Sequence, residues 1–240
     1  MIKNFLFKGK KLLYSFIGYL IFNVNKLWFK SLPRVYSTYI NINPFDIKLS
    51  VEGSTFNQMG GWRLKHFVLY KPIAHINPLR EYVLVLEKTF EELYVHDTKP
   101  NETAYFHYLL NKKTKNDAAL DKIVSLKNKY RVMFEQFGQG KIIVPYKTTS
   151  NIDFFSIGIG AQGELYFMTG NHRLAIARAL KLEQIPASVA FRHKDWQKIR
   201  ESIYKALKSG YPLKDELRGY LGHPDIVHMI NDHTLNAPAN

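Results

Sequence analysis

Apolar residues recur along the chain at two periods, and these predict its elements. Tyr82, Val83, Leu86, Phe90 and Leu93 fall three and four apart, which predicts a helix over residues 78–93. Ile123, Leu126, Tyr130, Met133 and Phe137 predict a second over 117–137, ended by Gly138-Gln139-Gly140. Residues 101–110 are expected to be helical as well, with polar residues 112–116 as the connection. Trp196, Ile199, Ile203 and Leu207 place a helix over 194–208. Residues 46–51 alternate like a short strand. From residue 141 strands dominate. Ile142-Ile143-Val144 is a short apolar run, and residues 154–159 and 164–168 flank the turn Gly160-Ala161-Gln162-Gly163 as a hairpin. An alanine- and leucine-rich helix over 173–182 and a strand over 185–191 follow.

This pattern predicts an α+β chain in four parts. Residues 1–34 are a basic, apolar N-terminal helix, lying on a membrane surface or packed on the fold. Residues 40–140 are a mostly helical region, open as to whether it belongs to the same domain. Residues 141–210 are a small mixed-sheet unit, and 211–240 a weakly patterned tail whose last residues are expected to fray.

Composition narrows the chemistry. Apolar residues make up 46% of the 240, enough for a sizeable core. There is no cysteine, which excludes disulfides, zinc–thiolate sites, iron–sulfur clusters and thiol nucleophiles. The net charge of +14 favours anionic partners: nucleotides, phosphorylated metabolites, acidic lipid or nucleic acid. Half of it (7 of 14) lies in residues 1–34, which carry Lys3, Lys8, Lys10, Lys11, Lys26, Lys30 and Arg34 and no acid. The apolar run from Leu12 to Val24 is shorter than the roughly 20 residues that span a bilayer. Asn25-Lys26-Leu27-Trp28 after it lacks the small residues of a signal cleavage site. A cytoplasmic protein, free or at an acidic membrane surface, fits both facts.

The chemistry concentrates at Thr169-Gly170-Asn171-His172-Arg173. A strand delivers the chain to a glycine turn and a helix begins at once. First-turn N–H groups lack intrahelical partners, and the helix dipole adds partial positive charge there, so the turn suits an anion. His172 and Arg173 add donors, and an arginine fork takes two phosphate oxygens together. The alternative is structural: Asn171 as N-cap, with His172 and Arg173 facing solvent. Two cationic residues in a first turn oppose the dipole, which favours the anion.

The run GELYFMTGNHRLAIARALKLEQIPASVAFRH resembles the ParB/sulfiredoxin-like superfamily, over about residues 154–193. The shared features are the Gly-x-(His/Arg)-Arg turn before a helix and an Ile-Pro strand after it. The resemblance implies that Thr169, Gly170, Asn171, His172 and Arg173 bind a nucleotide's phosphates, with Mg2+ accompanying ATP or CTP. Sulfiredoxins place a catalytic cysteine where this chain has Asn171, so their chemistry is excluded. The kinases of the group carry an acid where Thr169 stands, so a base would come from elsewhere, with Asp153, Glu164 and His172 as candidates. Arg192 and His193, at the end of the next strand, are expected to reach the rest of the ligand. Phosphoryl transfer or nucleotide hydrolysis therefore stands beside a binding or scaffold module at a membrane surface. Nucleic acid is permitted by the charge but not favoured, because residues 194–240 show no recognition helix with base-reading residues. A plain turn accounts for Gly60-Gly61-Trp62-Arg63. The residues His96, Asp97, Glu102, His223, Asp225, His228 and His233 lack the spacing that would argue for a metal.

Overall fold

The computed structural model describes residues 16, 19–33, 39–51, 67–70, 73, 75–141 and 155–234. Asp153, the Gly60–Arg63 loop, the apolar run 142–144, residues 12–15 and 17–18 of the N-terminal run, and the last six residues lie outside this set. The fold is α+β. A helix, α1, covers residues 19–28. Strands β1 (Tyr39–Ile42), β2 (Leu49–Val51), β3 (Phe67–Leu69) and β4 (Ile76–Pro78) precede helices α2 (Glu81–Tyr94), α3 (Ala104–Asn111) and α4 (Asn116–Gly138). Then come β5 (Ser156–Ile159), β6 (Leu165–Thr169), α5 (Asn171–Ala179), β7 (Ile185–His193), α6 (Lys194–Ser209), α7 (Asp215–Arg218) and α8 (Pro224–Thr234).

Among the described residues the strands form one seven-stranded mixed sheet in the order β1-β7-β5-β6-β2-β4, with β3 also on β7. Strands from residues 39–78 thus flank the contiguous β7-β5-β6 trio from 156–193 on both sides. The 40–140 region, whose domain membership the sequence left open, contributes strands to the same sheet as residues 156–193. Within the stretch expected to be a tail, α8 buries Ile226 and Met229 in the main core. Leucine and phenylalanine alternate along β6, so Leu165 and Phe167 enter the main core while Tyr166 and Met168 join a smaller cluster.

Local sequence sets the boundaries. The helix expected from residue 101 begins at Ala104, because Pro100–Glu102 forms a 3-10 turn and Thr103 is the cap. Thr103, Thr89 and Glu92 side chains accept from the N–H groups of Phe106, Ala104 and Tyr105: Thr103 from Phe106 at 3.4 Å, Glu92 from Ala104 at 2.7 Å and Thr89 from Tyr105 at 2.9 Å. The stripe Ala119, Ile123, Leu126, Tyr130, Phe134 and Phe137 buries one face of α4.

A buried ionic cluster ties α8 and the segment after α1 to the sheet. Asp225 accepts from Arg192 Nε at 2.8 Å, Arg192 Nη2 at 2.5 Å and Trp196 Nε1 at 2.9 Å, and Arg200 Nε lies 3.2 Å away. Asp225, Arg192, Arg200 and Trp196 are all fully buried. Arg200 also donates to the Ser31 carbonyl, Gln197 Nε2 to Ser31 Oγ at 2.7 Å, and Ser31 N to Glu201 at 3.0 Å.

His223 sits beside this cluster. Its Nδ1 accepts from Asp225 N at 3.1 Å, so Nε2 carries the proton and donates to the Gly163 carbonyl at 2.9 Å. Burial pushes the pKa of His223 and of His228 down, against the pull of Asp225. Both are therefore neutral in the fold. As pH falls below about 6.5, the unfolded chain takes up these protons first, so the two histidines' contribution is full above that pH and is lost below it. We expect the melting temperature to fall from pH 7.5 to 5.5, with a flatter curve for His223→Gln/His228→Gln, measured by differential scanning calorimetry. An equally steep curve in the variant would assign the slope to other groups.

Candidate functional site

The TGNHR turn is built as an anion-friendly helix start, with one shift. Gly170 is the cap, at φ 102° and ψ 40°, a left-handed conformation that suits glycine. The helix then begins at Asn171, two residues earlier than expected. Asn171 is therefore inside the first turn and not its cap, and its Oδ1 is buried with no hydrogen-bond partner among the described residues. No acid occupies this first turn. Thr169, Asn171, His172 and Arg173 are half-buried and Gly170 is buried.

His172 does not face open solvent. Its ring stacks on Tyr130 at 4.3 Å between centroids, with Nδ1 3.0 Å from the Tyr130 hydroxyl. Tyr82 and Phe90 meet the same ring edge-on at 6.5 and 6.4 Å. These partners come from α2 and α4, whose apolar stripes pack both helices against α5.

His172 lines an open cavity of about 350 Å³ with Tyr82, Tyr105, Asp121, Lys122, Ser125, Leu126, Lys129 and Tyr130. Lys122 and Lys129 stand seven residues apart on α4, two turns along one face. Tyr82 packs edge-on against Tyr105 at 5.7 Å, and Tyr105 stacks on Tyr108 at 6.1 Å. Burial, then the hydrogen bond to Tyr105, pushes the Tyr82 phenol pKa upward, so it stays protonated. Tyr82 also lines a neighbouring cavity of about 570 Å³ together with Ser50, Asn77, Arg80, Glu81 and Tyr108. The site thus has a cationic end, an aromatic middle and a polar extension.

Two expected contributors lie elsewhere. Glu164 closes the β5–β6 hairpin, accepting from Gln162 N at 3.0 Å. It is at the far end of β6 from Thr169, about 17 Å away at strand rise, so it is not a base for this turn. Arg192 and His193 are at that far end too. β7 runs parallel to β5, which is antiparallel to β6, and Ile159 is in register with both Leu165 and Arg192. Arg192 is moreover paired with Asp225, while His193 caps α6 by accepting from Asp195 N at 3.3 Å. The expectation that the strand after the helix returns to the ligand assumed a parallel crossover; the observed strand runs the other way.

The residues that sequence reasoning missed are Tyr82, Tyr105, Lys122, Lys129 and Asp121. The stripe on α4 predicted Tyr130 as core, and with α4's period the exposed Lys122 and Lys129 fall together, which was a usable signal. Among the described residues no group of three or more histidines and carboxylates is placed to hold a metal ion. Among them, too, no helix is long and apolar enough to cross a membrane. The chain matches no protein-family model, no curated protein and no solved structure.

Proposed function

We propose that this protein binds a nucleotide or a similar phosphorylated, ring-bearing ligand, as the ParB/sulfiredoxin-like resemblance implies. The phosphates lie at the start of α5 between His172, Lys122 and Lys129, and the ring lies on the tyrosines. One observation carries this reading: His172, in the first turn of α5, lines a cavity that also holds two lysines and an aromatic wall. Its volume lies within the roughly 300–1,000 Å³ common for small-molecule sites. The N–H groups and dipole of α5 favour the anion, and the lysines neutralise it. Aromatic faces accept any base, so they give affinity with little base selectivity.

Asp121 is the carboxylate among the described residues lining this cavity. Mg2+ is commonly held by one or two carboxylates together with substrate phosphates, a role Asp121 fits. Bound there, the ion would neutralise phosphate charge.

Thermal stability measured with ATP, CTP, GTP and inorganic phosphate, each with magnesium, tests the reading, because selective binding to the folded state raises the melting temperature. Nucleotides are expected to raise it more than phosphate does. Absence of any shift would remove the proposal. Tyr105→Ala then separates the two ends of the ligand. It is expected to weaken nucleotide binding about tenfold, within the 1–3 kcal/mol of one base–aromatic stack, and to leave phosphate binding unchanged in titration calorimetry.

A further inference from the structure

We infer that α1 docks the protein on an anionic lipid surface, laying its outward apolar face on the membrane. Leu27 is 71% exposed, Trp28 77% and Phe16 60%, and Tyr19, Leu20 and Val24 are each about half exposed. At helical spacing, residues 16, 20, 24, 27 and 28 form one stripe, with Tyr19 at its margin. Phe22 stands on the opposite side and is 2% exposed, so the helix already has a buried face, and Phe16, Leu20, Val24, Leu27 and Trp28 make a second, exposed one.

The orientation is held from behind. Just past the helix, Ser31 is clamped by Gln197, Arg200 and Glu201 of α6, and Leu32 is fully buried. These contacts fasten the chain to α6 within three residues of the end of α1.

Charge selects the occupant. Residues 1–34 carry seven lysines and arginines and no acid. A wholly basic segment beside an apolar stripe is attracted to acidic headgroups. Trp28 and Tyr19 are residue types that settle at the headgroup boundary. With Phe22 buried on one side and the apolar stripe exposed on the other, α1 is placed to lie along the interface.

The test is co-sedimentation of the full chain with vesicles of phosphatidylcholine, alone or mixed with phosphatidylglycerol. The parent is expected to pellet with the mixed vesicles, to bind pure phosphatidylcholine weakly, and to release as salt is raised. Leu27→Glu/Trp28→Glu alters only exposed side chains. It is expected to partition at least tenfold less while keeping the parent's melting temperature and nucleotide response. Equal partition of parent and variant, or no binding of the parent to either vesicle, would overturn the inference. A dimer that the variant abolishes in light scattering, without vesicle binding, would assign the stripe to a second copy of the chain and overturn it as well.

Discussion

Asp225→Ala is expected to cost about 3–5 kcal/mol of folding stability, the range found when one partner of a buried ion pair is deleted. Asp225 carries the counter-charge for two fully buried guanidinium groups and the acceptor for a buried indole N–H. Without it, Arg192 and Arg200 face each other with the compensating charge removed. A domain of this kind has about 5–15 kcal/mol in total, so the loss takes a large fraction of it. Arg200 already feels the strain of burial, which brings its pKa down to about 10 despite Asp225. Burial alone would raise the pKa of Asp225, but Arg192 and Arg200 overcome this and hold the carboxyl well below its ordinary value. Its folded pKa is depressed, so its contribution is present above the unfolded value of about 3.9 and is lost only as pH falls below that. Urea titration at pH 7 should show the midpoint drop in the variant; an unchanged midpoint would mean that the cluster is not a stability determinant. Since the same cluster clamps Ser31, the variant should also loosen the segment after α1, read as faster amide exchange there.

What the sequence made legible is what local periodicity encodes. The stripes of α2 and α4 named Val83, Leu86, Phe90, Ile123 and Tyr130 as core, and all are buried. Gly160 and Gly163 announced the hairpin, and the order strand, turn, helix, strand around Thr169 is present. What was not legible depends on contacts far apart in the chain. Strand patterning does not say which neighbour β7 joins or in which direction, and that direction alone moves Arg192 and His193 away from Gly170. Asp225 gave no hint of burial, because its partners lie 33 and 25 residues back. The 117 residues that separate the paired Leu49 of β2 and Tyr166 of β6 likewise concealed that residues 39–78 belong to the sheet. At the site, His172 reads as a surface residue of a first turn until Tyr130, 42 residues earlier, is brought against its ring. Lys122 and Lys129 are exposed, and only packing α4 on α5 places them beside His172.

Lys122→Glu/Lys129→Glu is expected to weaken nucleotide and phosphate binding about 100-fold, equivalent to about 2.7 kcal/mol. Two exposed cations near the ligand's phosphates each supply on the order of 1 kcal/mol in a watery setting, and reversal turns attraction into repulsion. The buried face of α4, with Ile123, Leu126 and Tyr130, is untouched, so the melting temperature without ligand should hold. Screening gives a second signature. The parent's affinity should drop as salt is raised, while the variant's should depend on salt weakly or in the opposite sense. Lys205→Glu/Lys208→Glu changes the net charge equally, on exposed positions of α6 that do not line the cavity. Binding unaltered in that control but lost in the α4 variant would place the phosphates beside His172. An α4 variant that binds as the parent does would put the ligand elsewhere and remove the proposed function. Equal losses in both variants would reduce the effect to the chain's overall positive charge, and the cavity would lose its claim as the site.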